Sequence, residues 1–378
     1  MRIGLNLLYL IPDVVGGTET YARGLLAGLQ KISSKHDFVL FVNRESANSI
    51  LAENSKFTKV VCPVCAENRR QRYLFEQIQL KKYVRQFRID LLHSLAYTSP
   101  LFLQCPTVVS IHDLNFKAFG HDMPFHRRWM LRLFVGQAVA RSTKIIVMSD
   151  FSRREILQEY PIDSKKIAVI HEAVDTGEIK NGKNDEDQPI DTRLTELETP
   201  YITAFSSVTI NKNIPRLLEA FLEAKKDKRF RHKLVIIGHR FPVEKVKAID
   251  SNSLDNREIV WTGYLSRQKV FEVLQGSDFM VFPSFYEGFG LPALEAMAAG
   301  VPLVCSNTAS LPEVVGEAGV FFDPFSIQDM SEKIAQVASD LTLRKNLREK
   351  GFQNLQRFSW KQTAEQTLSV YQETMQNR

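Results

Sequence analysis

Two carboxylates eight positions apart, Glu287 and Glu295, bracket the segment Glu-Gly-Phe-Gly-Leu-Pro-Ala-Leu-Glu and place acids on either side of a strand-to-helix junction. The apolar run Asp278–Phe282 suits a buried strand, Gly288 and Gly290 break it, and Pro292 stands where a helix can start. Residues Leu291–Ala299 favour helix and Gly300 ends it. Backbone N–H groups near Gly290 and Leu291 then point outward from the positive end of a helix dipole, where a diphosphate can bind. Glu287 falls in the loop and Glu295 about one turn inside the helix, so the two carboxylates can meet different parts of one elongated, hydroxyl-bearing ligand. Two acids beside an anion cradle fit a nucleotide sugar.

Other residue types point the same way with less force. Lys212 follows an apolar strand and precedes the helix-like Asn213–Phe221, within reach of a phosphate at a helix start. His112 and Asp113 follow the apolar strand Thr107–Ile111 and so emerge at the carboxyl end of a sheet, where open α/β folds bind ligands. Gly16 and Gly17 precede a helix expected from about Thr20, and their N–H groups can approach a diphosphate or an acceptor; Thr18 and Glu19 serve equally well as caps. Taken singly, each of these is also an ordinary turn, cap or packing residue.

The elements that must position them alternate along the chain. Strand-like runs at Phe38–Asn43, Leu91–His93, Thr107–Ile111 and Lys144–Met148 are separated by longer polar-patterned stretches, and a second series follows at Tyr201–Phe205, Leu234–Gly238, Ile259–Thr262, Phe279–Pro283 and Leu303–Ser306. This is βαβ organisation with parallel sheets. A length of 378 residues with 44% apolar content allows two packed cores. Polar residues Asp175–Pro200 read as the connection between them. The apolar start Ile3–Ile11 is short and is followed by Pro12-Asp13 and Gly16-Gly17, a first buried strand rather than a leader.

Residues Met1–Lys180 hold 25 Lys and Arg against 17 Asp and Glu, so the overall charge of +6 is concentrated in the first half. Its densest segments, Arg69–Arg88 and Arg127–Arg141, read as amphipathic helices whose Leu74, Ile78, Tyr83, Phe87, Trp129, Leu131 and Phe134 give apolar contacts. They are either solvated helix faces or a surface drawn to anionic lipid. Nucleic acid fits poorly, because no reader motif accompanies the charge. Cys62-Pro-Val-Cys65 lacks a second pair or adjacent His cluster, so the four cysteines read as structural thiols of a reduced, cytoplasmic protein. No Gly-x-Gly-x-x-Gly dinucleotide fingerprint is evident.

The stretch Pro283-Ser-Phe-Tyr-Glu-Gly-Phe-Gly-Leu-Pro-Ala-Leu-Glu-Ala-Met-Ala-Ala-Gly-Val-Pro302, with Ser306-Asn307 and Leu311-Pro-Glu-Val-Val-Gly316, resembles glycosyltransferase family 4, and so do Ser110–Leu114, Ser149–Arg154, Lys212-Asn213, Gly263–Ser266 and Phe358-Ser-Trp360. The resemblance implies an α/β chain of the GT-B type: two Rossmann-like domains facing a central cleft, with a C-terminal helix crossing back to the first. Residues 1–180 would be the acceptor-side domain, 181–199 a linker, 200–358 the nucleotide-sugar domain and 359–378 the returning helix. It implies retaining transfer of a mannose- or glucose-type hexose from a nucleoside diphosphate sugar to a saccharide or lipid-linked acceptor, with neither metal nor other cofactor. It also implies site roles: His112, Lys212 and Glu287 at the reaction centre; Gly17, Ser207, Tyr264, Leu265, Gly288, Phe289, Gly290, Leu291 and Glu295 with Glu287 around the donor; Gly16, Asp113 and His171 on the acceptor side. Contact with the cytoplasmic face of a membrane is a further expectation.

Two positions depart from that pattern. The family's Arg five residues before Lys212 is here Ser207, which removes one cation from leaving-group stabilisation and leaves Arg240 or another basic group to replace it. His171-Glu172 replaces the commoner Pro-Asn-Gly-Val-Asp run. A non-catalytic scaffold, a phosphorylase of the same fold and a nucleotide-sugar epimerase therefore stay open as alternatives, whereas the acid and nucleophile pair of a glycosidase does not match these carboxylate roles.

Overall fold

The computed structural model describes residues 1–32, 35–50, 56–119, 124–174, 200–207, 209–241 and 258–376. The chain forms two units, Met1–Ala173 with Phe358–Arg378, and Val174–Arg357. The linker expected at 181–199 lies outside the described residues.

The first unit is built on a parallel sheet of β1 (Arg2–Asn6), β2 (Asp37–Val42), β3 (Phe57–Val61), β4 (Leu91–Ser94), β5 (Thr107–Ile111), β6 (Lys144–Val147) and β7 (Ile167–Val169), in the order β3-β2-β1-β4-β5-β6-β7. Its helices are α1 (Gly17–Lys31), α2 (Arg69–Leu74), α3 (Leu80–Gln86), α4 (Asn115–Ala118), α5 (Phe125–Arg141) and α6 (Asp150–Glu159). The second unit carries β8 (Tyr201–Ser206), β9 (Lys233–Gly238), β10 (Ile259–Gly263), β11 (Phe279–Phe282), β12 (Leu303–Ser306) and β13 (Gly319–Phe322), also parallel, in the order β10-β9-β8-β11-β12-β13. Its helices are α7 (Ile214–Lys225), α8 (Arg267–Gln275), α9 (Leu291–Ala298), α10 (Leu311–Val315), α11 (Ile327–Ser339) and α12 (Leu341–Leu355). The central strands β4, β5 and β11 are buried along their whole length, as a sheet covered by crossover helices requires.

In both units the strand order reverses next to the first strand, between β1 and β4 and between β8 and β11. Loops leaving the two strands at such a switch point diverge and open a crevice at their carboxyl ends.

The last helix, α13 (Trp360–Gln376), belongs to the first unit and packs on α1. Two glycines one turn apart make that approach: a Cβ on Gly24 would collide with the Trp360 indole, and one on Gly28 with the Trp360 carbonyl oxygen and the Ala364 methyl. Further along α13, the Tyr371 hydroxyl lies 2.7 Å from Nδ1 of buried His93 on β4, whose Nε2 meets Ser110 Oγ at 2.9 Å; Ser110 in turn pairs with the Tyr21 hydroxyl of α1 at 2.9 Å. Burial, with the nearby His112, pushes His93 down to about 3, so the ring stays neutral and can both donate and accept in this chain.

One local expectation fails. Between α2 and α3 the backbone makes a π turn over Phe75–Gln79, which shifts the helical phase. Glu76 is thereby buried, while Leu74 and Ile78 stand 61% and 52% exposed instead of giving core contacts. Trp129 on α5 is likewise 56% exposed, though Phe134 stacks on Tyr73 with ring centroids 5.0 Å apart.

Gly28→Ala is expected to cost about 2–3 kcal/mol, because the obstructing atom is a backbone oxygen that no rotamer change can move. Gly136→Ala in α5, whose Cβ would meet only Tyr160 Cε1 at 3.4 Å, is expected to be neutral or to gain about 0.5–1 kcal/mol. Urea midpoints of the two variants against the parent check both.

Candidate functional site

In the second unit the switch point between β8 and β11 brings together residues that lie 75 positions apart. The chain leaves β8, turns through a short 3₁₀ segment at Ile210–Lys212 and enters α7 by way of Asn213, which holds a left-handed φ of 54°. Asn213 Nδ2 donates to the carbonyls of Pro283 and Pro324, both at 3.0 Å, and so ties this turn to the loop after β11. Asn211 Nδ2 donates to Tyr286 O at 3.1 Å, and Ser310 Oγ donates to the carbonyls of Glu287 and Phe289 at 2.8 and 2.7 Å. With the loop fixed on both sides, Glu287 Oε1 meets Lys212 Nζ at 2.7 Å in a largely buried ion pair. Lys212 also lies 5.3 Å from the Phe282 ring centroid.

Gly290 caps α9 in a conformation with φ 107° that a side chain rarely adopts, and a Cβ there would press on Leu311; no side chain caps the helix. Leu291 is buried behind this turn. Glu295 sits one turn further on, partly buried; desolvation raises its carboxyl above the usual carboxylate range, opposed by Arg267 and then Lys212. Arg267 opens α8 just beyond Gly263, Tyr264 and Leu265; Gly263 bulges the β10 edge at φ 69°, and Tyr264 is 67% exposed. Ser207 makes a local turn, its Oγ 2.6 Å from Thr209 Oγ1 and accepting from Thr209 N at 3.3 Å. Arg240 is exposed. Three buried polar atoms at this switch point take no protein partner: Ser206 Oγ, Asn211 Oδ1 and Ser284 Oγ. Buried polar atoms without a protein partner are costly, and these three cluster at strand ends.

In the first unit the structure sets His112 at the end of β5, buried, with Nδ1 at 3.1 Å from Glu172 Oε1 and Nε2 at 2.9 Å from the Leu95 carbonyl. Burial lowers its pKa, but the Glu172 hydrogen bond and charge, followed by Leu95 and Asp113, outweigh it, and the net direction is up. Both ring nitrogens face acceptors, which favours the doubly protonated imidazolium. Tyr21 packs edge-on against the ring at 4.9 Å. A ligand hydroxyl bonding to either ring nitrogen would compete with Glu172 or Leu95. Asp113 Oδ1 accepts from Asn115 N at 3.0 Å. Gly16 adopts φ 58° before α1, which begins at Gly17, three residues earlier than the sequence reading. The His171 ring lies against Phe358, with centroids 5.6 Å apart, and its carbonyl accepts from Thr363 Oγ1 at 2.8 Å.

The second unit thus gathers Lys212, Glu287, Gly288, Phe289, Gly290, Leu291 and Glu295 at one switch point, and the first gathers Gly16, Gly17, His112 and Asp113 at the other. Glu172 and Arg267 were missed as site residues. The signal for Glu172 was its direct neighbour His171; Arg267 left none beyond its place at a helix start.

Two parallel α/β units of this strand order are the GT-B architecture of glycosyltransferases. Sucrose-phosphate synthase from Thermosynechococcus elongatus shares it, with a TM-score of 0.76 at 16% identity and full coverage of both chains. The model for glycosyl transferases group 1 matches residues 187–354 and that for Glycosyltransferase Family 4 matches residues 15–178. O-antigen chain mannosyltransferase B of Escherichia coli is 30% identical over 266 residues, covering 70% of this chain and 69% of that protein. Serotype-specific mannosyltransferase WbdA of Escherichia coli is 26% identical over 284 residues, 72% of this chain, which spans about a third of that protein (34%). The chain belongs to glycosyltransferase family 4.

Because the His112 pKa is raised in the fold above its ordinary value of about 6.5, its pairing contributes stability in full below about pH 6.5, and this is lost as pH rises through the raised value. Glu172→Gln is therefore expected to cost most at pH 6, on the order of 1–3 kcal/mol, and less by pH 9. Urea unfolding of parent and variant across that range checks it; a deficit that does not change with pH contradicts the assignment.

Proposed function

We propose that the chain transfers a mannose- or glucose-type hexose, with retention of anomeric configuration, from a nucleoside diphosphate sugar to a saccharide or lipid-linked acceptor in glycan assembly. The observation that carries this reading is the Lys212–Glu287–Glu295 group at the mouth of an uncapped α9. Lys212 and the N–H groups at Gly290 and Leu291 stabilise charge growing on the departing diphosphate. The anomeric C–O bond to phosphate breaks, the acceptor oxygen bonds to that carbon, and its proton passes to the departing phosphate oxygen.

Glu287 holds donor-sugar hydroxyls and Glu295 the ribose, while backbone near Tyr264 and Leu265 meets the base. To Arg267, at the start of α8, we assign the place of the cation absent at Ser207. In the first unit, His112 is the residue we assign to a sugar hydroxyl, with Gly16, Asp113 and His171 as acceptor contacts. No metal is needed in this scheme. The two relatives' names, both mannosyltransferases, support mannose as the hexose. The basic excess and the exposed Leu74, Phe125 and Trp129 support peripheral contact with the cytoplasmic face of an anionic membrane. Among the described residues no helix is long and apolar enough to cross one.

A panel of nucleoside diphosphate sugars with chelator present tests the reading. One donor is expected to raise the melting temperature and release nucleotide slowly, with both effects lost in Glu295→Ala. Lys212→Ala is expected to lower turnover by about 10²–10³-fold. Binding without turnover, or neither, favours the scaffold alternative that Ser207 keeps open; turnover only with added phosphate favours a phosphorylase.

A further inference from the structure

A cavity of about 560 Å³ opens at the carboxyl ends of the first unit's strands, bordered by the Asp113 that adjoins His112. Its walls differ in kind. One side is cationic, with Arg69, Arg70 and Arg72 all lining it from α2. The other side is aromatic and aliphatic, with Tyr9, Tyr97 and Phe116 among its residues.

Three guanidinium groups meet one lining carboxylate, Asp113, and Asp113 already accepts from Asn115 N. Among the described residues neither Arg69 nor Arg70 takes an ion-pair partner. Arg72 lies over the Tyr73 ring at 4.4 Å, and Tyr73 is itself stacked on Phe134, so this guanidinium is held in place before any ligand arrives. Its Nε is buried with no hydrogen-bond partner. Glu76 lies near Arg72 but does not line the cavity, and its oxygens accept from Thr98 Oγ1 at 3.0 and 3.2 Å. One guanidinium held in place and two exposed ones, beside rings that can pack against a pyranose face, match a sugar that carries phosphate, because the planar guanidinium presents paired donors to phosphate oxygens.

We infer that this cavity is a subsite for a phosphate or diphosphate group attached to the acceptor sugar, held by Arg69, Arg70 and Arg72. The inference rests on the transferase reading for the word acceptor; the anion site itself does not. A sugar phosphate and a lipid diphosphate sugar offer the same chemistry to these arginines.

Hydrogen–deuterium exchange of the full chain with inorganic pyrophosphate tests the anion site by location. Pyrophosphate is expected to slow exchange in peptides covering residues 66–74 and 95–98, and the Arg69→Gln/Arg70→Gln double variant, altered only at exposed positions, is expected to lose that protection. Protection confined to the segments around Lys212 and Glu287–Glu295, or unchanged in the double variant, overturns the inference. Arg72→Lys, which keeps the charge and loses the planar fork, is expected to fall between the two. In a transfer assay with one sugar offered free, as its 1-phosphate and as a lipid diphosphate, kcat/KM is expected to be at least tenfold higher for the phosphorylated forms. The double variant should erase that ratio. Equal rates on all three overturn the inference; preference for the 1-phosphate or for the lipid form each supports it and names the source of the charge. If no donor releases nucleotide while pyrophosphate still protects residues 66–74, the transferase reading fails and the anion site stands.

Discussion

The geometry of the second unit's switch point depends on one ion pair, Lys212 with Glu287, joining the two loops that diverge between β8 and β11. A largely buried pair is favourable only when both partners are held in good geometry, since desolvation of each charge opposes it. The chain meets that condition with side-chain amides and a hydroxyl that bind backbone carbonyls: Asn211, Asn213 and Ser310. Their work is to keep a loop containing Gly288 and Gly290 from relaxing, so that a flexible segment carries an acid at a fixed place.

The first unit solves a related problem with histidines. His112 favours the charged state between Glu172 and Leu95, and it adds to the pressure that keeps His93 neutral one strand away. That neutrality lets His93 bridge Ser110 and Tyr371, which closes α13 over the sheet. Edge-on packing of Tyr21 against His112, with the Tyr21 hydroxyl on Ser110, links the two histidines through one aromatic side chain. The returning helix therefore bears on the electrostatics around His112 as well as on the core.

Most of the fold was legible because buried parallel strands are short apolar runs: Thr107–Ile111 and Leu303–Ser306 have the bounds read from the sequence. The strands it missed are β3, β7 and β13. Thr58 and Lys59 leave β3 exposed, β7 has only three residues, and all three strands lie at sheet edges, where one side lacks the burial that writes an apolar pattern. The π turn at Phe75–Gln79 was equally silent, since a one-residue change of phase leaves composition untouched. Glu287, Glu295, Lys212 and His112 were singled out as candidates by residue type, by their places at strand and helix ends and by the family resemblance. Glu172 and Arg267 were not, because their partners come from tertiary folding: Glu172 meets His112 from 60 positions away, and Arg267 acts on Glu295 from a different helix.

Charge is unequally divided between the two sites. In the second unit Lys212 and Arg267 stand against the two acids Glu287 and Glu295. On the proposed function, a diphosphate there would draw on the α9 N-terminus, worth about half an elementary charge, and on Lys212 turned from Glu287. That turn would free the Glu287 carboxylate for a sugar hydroxyl, so diphosphate and sugar would favour each other's binding. A second arginine at position 207 would strengthen the diphosphate contribution alone and reduce that dependence on the sugar. Ser207 is instead hydrogen-bonded into its own turn.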